Sequence, residues 1–345
     1  MPQQLGQSAA IAGRINNERA TQRAWPNVGG ASLKGEGLRS HGEECSDVKW
    51  CIISFLCLSH SFLAWIAALG PIHGEGLGST PERWRKLLLE KSTWPAVEAY
   101  FASSDLVVLG FGSTENHGRH NPLGTDWMAP QRILDLMDER RPEVLYGPTL
   151  RLGSADHFID YPGTLSLGDD LLHQVVARIC GQLYHYGARH FCFVNGHGGN
   201  TRALTMTGYE LNDRGCQVAL LNWWKLAGEL NPAWGGGHGG AQETSANLWI
   251  DPTTVDTAAF GPMDLVDDGG SDIQTQGFDV VEFEGVHPSL IRRARRYATN
   301  GWIGKDDPRQ ASAEWGEQML TAFADWAVEF LDTFAQSPLP DRIER

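Results

Sequence analysis

Residues 104–126 read "SDLVVLGFGSTENHGRHNPLGTD". The first half, from Leu106 to Phe111, is an unbroken apolar run of strand length, the kind buried on both faces of a parallel sheet. The second half changes character, crowding Glu115, His117, His120 and Asp126 among glycines and a proline. Such a segment buries little apolar surface, so packing alone does not call for these side chains. Open α/β sheets bind ligands just past the carboxyl ends of their strands. The stretch therefore predicts a fold and places a site in it.

The pattern continues on both sides. Residues 80–92 ("TPERWRKLLLEKS") and 93–104 ("TWPAVEAYFASS") predict helices leading into the first strand. Residues 127–142 predict a helix with Ile133, Leu134 and Met137 on one face, and 143–153 ("EVLYGPTLRLG") a second strand. Leu172, Val175, Val176, Ile179 and Leu183 form one helical stripe. Residues 190–196 ("HFCFVNG") and 217–224 ("QVALLNWW") predict a third and a fourth strand, with a helix carrying Leu204, Gly208 and Leu211 between them. A long amphipathic helix bearing Met319, Leu320, Phe323, Ala327 and Leu331 closes the pattern. This alternation defines the α/β class: a mostly parallel sheet with helices on both faces, in three layers. Residues 252–312 lack periodicity and are expected to wrap the site or a neighbouring subunit.

Composition narrows the function. Of 345 residues, 41% are hydrophobic and 20% charged, enough for a sizeable core. The net charge of −14 leaves no basic surplus to neutralise phosphates, which excludes a nucleic-acid binder. The basic cluster "RRARR" (292–296) reads as a solvated or subunit-facing patch. Six cysteines occur without a CxxC pair, so no disulfide framework is implied and a reducing cytoplasm is the default. Residues 1–75 are expected to form a disordered N-terminal extension, and 76–338 the folded domain. Within the extension, 50–70 contain no Asp, Glu, Lys or Arg and are long enough to span a bilayer. Three readings stand: translation from an upstream start with no folded role, a membrane anchor, or a packed helix.

Each strand end carries a polar cluster. The first has Glu115, His117 and Asp126; the third "NGHGGN" (195–200) with His197; the fourth "WGGGHGGAQETS" (234–245) with His238 and Glu243. All three should converge on one rim of the sheet. Carboxylates with imidazoles suit borderline divalent metals such as Zn, Mn or Fe, and the lack of cysteine disfavours a structural zinc. A mononuclear catalytic zinc needs about three protein ligands. Five candidates with a spare histidine suggest two ions instead, which need a bridging carboxylate. His120, between Arg119 and Asn121, reads as an exposed loop residue and not a ligand; His157 and His173 also fall outside the ligand set.

"GSTENHGRHNPLGTD", "YPGTLSLG" (161–168), "NGHGGN", "HGGAQETS" and "GWIGKDDPRQASAEWGEQ" (301–318) together resemble the creatininase (creatinine amidohydrolase) family. The similarity runs over about residues 80 to 335. It implies that Glu115 and His197 hold one ion, His117 and Glu243 the other, with Asp126 bridging. His238 matches the family's catalytic histidine, which passes a proton to the leaving group. Trp234 resembles an aromatic that covers the substrate, and Ser154 falls where a serine contacts it. The family pattern also implies a homo-oligomer, a hexamer. One departure is Gly199, where creatininase itself carries a metal-ligating glutamate; Glu243 must then supply that carboxylate, which points away from creatinine as the substrate.

The expected activity is metal-dependent hydrolysis of a small, cyclic substrate at a carbonyl, an amide C–N bond first. Alternatives from the same family are C–C ring opening of an oxidised inositol and formamide deformylation. From other classes come a non-catalytic metal-binding protein and a membrane-tethered one. Trp223, Trp224 and Trp234 suit a compact ring better than an extended polymer, though the first two serve equally as core.

Overall fold

The computed structural model describes residues 87–343. The N-terminal extension with its apolar segment 50–70, and the first part of the helix expected over 80–92, lie outside the described residues. The element order is α1 (Trp94–Phe101), β1 (Leu106–Phe111), α2 (Thr125–Arg140), β2 (Leu145–Tyr146), α3 (Gly168–Tyr186), β3 (His190–Asn195), α4 (Thr201–Asp213), β4 (Gln217–Asn222), α5 (Trp223–Leu230), α6 (Ala241–Ile250), β5 (Gln274–Gly277), β6 (Val280–Glu282) and α7 (Ala313–Phe334). Strands β2-β1-β3-β4 form one sheet, in that order, and every pairing in it is parallel.

Strand alternation explains why the apolar runs are continuous. Leu106 and Val108 of β1 and Cys192 and Val194 of β3 face a core shared with Ile133 of α2, Ala246 of α6 and Phe323 of α7. Val107, Leu109 and Phe111 of β1, with Phe191 and Phe193 of β3, face the other core, shared with Leu172 of α3 and Leu204 of α4. Every residue of β1 and β3 is buried, with the apolar ones divided between the two cores, which is the three-layer arrangement. Phe111 and Phe193 meet edge to face at 5.2 Å between centroids. That geometry contributes about 0.5–1.5 kcal/mol beyond burial.

Two segments depart from the sequence reading. Leu87 and Leu88 are extended, not helical, and only a 3-10 turn (Leu89–Lys91) follows. The reason is burial on opposite sides: Leu87 packs in one core and Leu88 in the other, an alternation a helix cannot provide. The second strand is also shorter than expected, because Pro148 has no N–H for the ladder; contact with β1 resumes only at Leu150, which bridges Phe111.

Residues 252–312 are not featureless. They contain the antiparallel hairpin β5–β6, and Ala294, Tyr297, Ala298 and Ile303 pack on Phe158 and Tyr161. The cluster "RRARR" is solvated at Arg293, Arg295 and Arg296, and it also fastens this segment. Arg293 and Arg295 donate to the carbonyls of Asp156 and Asp160, and Arg292 pairs with Asp268. Among the described residues no helix is long and apolar enough to cross a membrane.

Candidate metal centre

The loop after β1 turns back on itself through Glu115 N–H donating to the Leu123 carbonyl at 2.8 Å. This brings Glu115 and His117 beside Asp126, which sits in the first turn of α2, where a helix favours negative charge. Pro130 has no N–H for the carbonyl of Asp126 four residues back. That carbonyl instead faces Gly196 at the end of β3, where an added Cβ would lie 2.0 Å from it. The close approach of α2 to β3 therefore requires glycine, and it delivers His197 to Asp126.

The two imidazoles are oriented by their rear nitrogens. His197 Nε2–H donates to the Ser154 carbonyl at 2.8 Å, which turns Nδ1 toward the carboxylates, 3.0 Å from Asp126 Oδ2 and 3.2 Å from Glu115 Oε1. His117 Nδ1–H donates to the Glu115 carbonyl at 3.2 Å, so its Nε2 faces Asp126 Oδ1 at 2.9 Å and Glu243 Oε2 at 3.5 Å. Fixing the tautomer through the far nitrogen is the usual support of a metal-binding histidine. Glu243 lies in the first turn of α6, and its carboxylate accepts from Gly239 N–H at 2.7 Å. An α5 helix and a 3-10 turn separate this cluster from β4, so it reaches the rim indirectly.

The donor atoms form overlapping groups. Glu115, Asp126 and His197 offer atoms within 4.8 Å of one another; so do His117, Asp126 and Glu243, and so do Glu115, His117 and His238. Asp126 is common to the first two. Among the described residues, buried His238 Nε2 has no hydrogen-bond partner. Glu115 Oε1, His117 Nε2 and Asp126 meet only one another, His197, His238 and Glu243 as titratable neighbours, and no Lys or Arg lines the cavity. Three buried carboxylates balanced by imidazoles alone are costly. The set of oxygen and nitrogen donors fits divalent cations.

The electrostatics agree. Burial opposes a charge on His117, yet Asp126 and Glu243 push its pKa up to about 10. Burial likewise opposes a charge on His197, but Glu115 and Asp126 hold its pKa well above the ordinary value. Burial would raise Asp126, and the two imidazoles overcome it, holding the carboxyl below its usual range. Burial lifts Glu115, and lifts Glu243 to about 7. In the bare chain, protons on the imidazoles take the place of the missing positive charge. His238 is the exception: burial and the neighbouring His117 keep it well below the ordinary value. Its ring stacks on Phe158 at 4.1 Å and 10°.

These groups open into a cavity of about 430 Å³. Ser154 lines it, although its hydroxyl donates to Asp169. Trp234 does not line it. Its carbonyl accepts from Gln242, and its ring packs against the core; the tryptophan on the wall is Trp224. His120 is buried, not exposed, and donates through Nε2 to the Gly239 carbonyl at 2.9 Å, bracing the loop that carries His238. His173 lies apart, beside Glu210. His157 is outside the donor groups yet lines the cavity, together with Phe158 and Phe278. Those wall residues carry no motif; the aromatic pair His157–Phe158 beside Ser154 was the available signal. Gly199 also has a structural account: a Cβ there would meet the Ser154 carbonyl at 2.1 Å and His197 Nε2 at 2.4 Å. A glutamate in its place would break the bond that orients His197.

A parallel sheet whose rim gathers buried carboxylates and imidazoles around one shared aspartate defines an α/β protein with a candidate metal centre. The family model described as creatinine amidohydrolase matches residues 90–331, and the chain belongs to the creatininase family. The mycofactocin precursor peptide peptidase of Mycobacterium ulcerans is 30% identical over 172 residues, 48% of this chain and 62% of that protein. The creatinine amidohydrolase of Pseudomonas putida is 29% identical over 214 residues, 52% of this chain and 81% of that protein. The chain thus spans less than two thirds of the mycobacterial relative. A putative creatinine amidohydrolase from Bacteroides fragilis shares the fold with a TM-score of 0.59 at 20% identity, over 74% of this chain and 99% of that one. Solved creatininases include forms described as Zn-Zn and as Mn.

Proposed function

We propose that this protein hydrolyses an amide C–N bond in a small substrate, using two divalent ions held around Asp126. The observation that carries this reading is the sharing of Asp126 between two donor groups, Glu115–His197 and His117–Glu243. The names of the two relatives, amidohydrolase and peptidase, have the amide bond in common. Ions bound there would supply Lewis acidity and a water acidified from about 15.7 to roughly 7.

The chain's own residues do the rest. His238, neutral and with Nε2 unpartnered, can accept a proton and hand it to the departing nitrogen. Stacking on Phe158 holds its ring at one angle. Phe158, Phe278 and Trp224 keep bulk water from the reacting carbonyl. Assembly from several copies, as a cytoplasmic homo-oligomer, belongs to the same reading; Val286 and Ile291, 66% and 82% exposed, support it.

The test is metal analysis combined with turnover. Chelator-stripped protein reloaded with Zn, Mn or Fe should approach two equivalents and hydrolyse members of a panel of cyclic amides, formamides and short peptides. Saturation at one equivalent would sink the two-ion reading.

A further inference from the structure

A second cleft, of about 720 Å³, adjoins the site cavity and shares Gly236, Gly237 and Phe278 with it. We infer that the substrate has two parts: the reacting amide in the inner cavity and a tail, ending in a carboxylate, in this outer cleft. The inference rests on the proposed hydrolase reading and names the substrate class for it.

The partition between the two spaces is Phe278. It stands at the turn of the β5–β6 hairpin with φ of 49°, next to Gly277 at 122°. An aromatic residue rarely adopts that left-handed conformation, and such positions persist where the surroundings impose them. Its ring lies 6.0 Å from the ring of His157 and 6.1 Å from that of His238. The ring therefore stands beside His238 while lining both the inner cavity and the outer cleft.

The outer cleft has apolar side chains on part of its wall and two basic residues, Lys305 and His287. Met263, Val280 and Ile303 line it, which suits a methylene chain. Asp306 also lines it, but its carboxylate is occupied, accepting from Gly237 N–H at 2.8 Å and Gln242 N–H at 2.9 Å. Lys305 is exposed and makes no side-chain hydrogen bond or ion pair among the described residues. Among the described residues it is the one Lys or Arg that lines the cleft. Its backbone is not adrift: Ile303 N–H donates to the His238 carbonyl at 2.8 Å, and Ala241 N–H to the Asp306 carbonyl at 3.1 Å. The floor of the cleft is thus tied to the loop that carries His238 and Glu243, and a tail bound there is held in register with the reacting bond.

Matched inhibitors test this on the metal-loaded full chain. Acetohydroxamate probes the inner cavity alone; alkyl hydroxamates with three, five or seven methylenes, ending in either methyl or carboxylate, probe both spaces. Calorimetry on the wild type should show the carboxylate end binding more tightly than the methyl end at one chain length. The expected advantage is roughly fivefold, the yield of one partly exposed ion pair. In Lys305→Ala the ratio should collapse to near one, and in Lys305→Glu it should invert. Binding of acetohydroxamate with no carboxylate preference at any length overturns the tail inference and leaves the hydrolase reading intact. Failure of acetohydroxamate to bind overturns the hydrolase reading, and the tail inference with it.

Discussion

The group formed by Glu115, Asp126 and His197 stands on the ends of two neighbouring strands and the first turn of α2. The group formed by His117, Asp126 and Glu243 closes only when the first turn of α6 arrives. In the first, β1 and β3 are paired in register up to Phe111 and Asn195, and the Asn195 side chain holds the His197 backbone on both sides. In the second, Glu243 is held by one N–H, that of Gly239, and burial lifts its pKa to about 7. Two sites that share a ligand can therefore differ in rigidity. The strand-built site should bind its ion first and more tightly; the helix-built site should fill later and depend more on pH.

Removing what the two groups share has the largest expected effect. Asp126→Ala should lose both ions, with hydrolysis at the uncatalysed background; retention of one tight equivalent by metal analysis would show that the groups are independent. Next comes His238, the residue proposed to carry the proton. His238→Gln should lower the rate by about 10²–10⁴, the usual range for a general acid or base, with two equivalents still bound. If it strips an ion, His238 is a ligand and the proton carrier lies elsewhere.

A smaller change sharpens the contrast between the sites. Gly199→Ala should push the Ser154 carbonyl off His197 and weaken the strand-built site by roughly 10–100-fold, the usual cost of losing a support behind a ligand. Titration calorimetry should show the helix-built site little changed; equal weakening of both would deny the distinction. The mildest effect is on the metal-free protein. The folded pKa values of His117 and His197 are raised, so their contribution to stability is complete below about 6.5 and is lost as pH climbs. For His117 the loss runs up to about 10. Glu243, also raised, adds a decline between its ordinary value and about 7. Asp126, held low, contributes equally across this window. Thermal melts of the stripped chain should therefore fall from mildly acidic to alkaline pH, while the gain on adding metal widens. A flat profile for the stripped chain would mean that protons do not replace the ions.

The sheet was legible because its strands lie between two cores: Leu106 to Phe111 and His190 to Asn195 have no polar face to confuse the period. The donor residues were legible because each stands just past a strand end or in a glycine-bound motif. What was not legible depends on contacts between distant segments. His157 reaches the cavity because residues 293–297 grip its turn, and its Nε2 meets the Tyr297 hydroxyl at 2.7 Å. Nothing within "GSADHF" announces that partner. Trp224 and Trp234 flank the same helix-and-turn segment, Gln242 Nε2 donates to both of their carbonyls, and it is Trp224 that lines the cavity, a difference with no signal in the local sequence. The hairpin that brings Phe278 to the wall is two short strands with a left-handed turn, too brief to show a period.

The parallel pairing of β1 with β3 also sets the order of events during folding. Parallel neighbours cannot meet through a tight turn; here α2, β2 and α3 intervene before β3 can dock on β1. Glu115 and His197 stay far apart on the chain until that long-range contact has formed, and such contacts form slowly. An ion therefore finds no complete binding site on the nascent polypeptide. Metal should leave the folding rate nearly unchanged and slow unfolding, since it grips interactions that are absent from the early transition state.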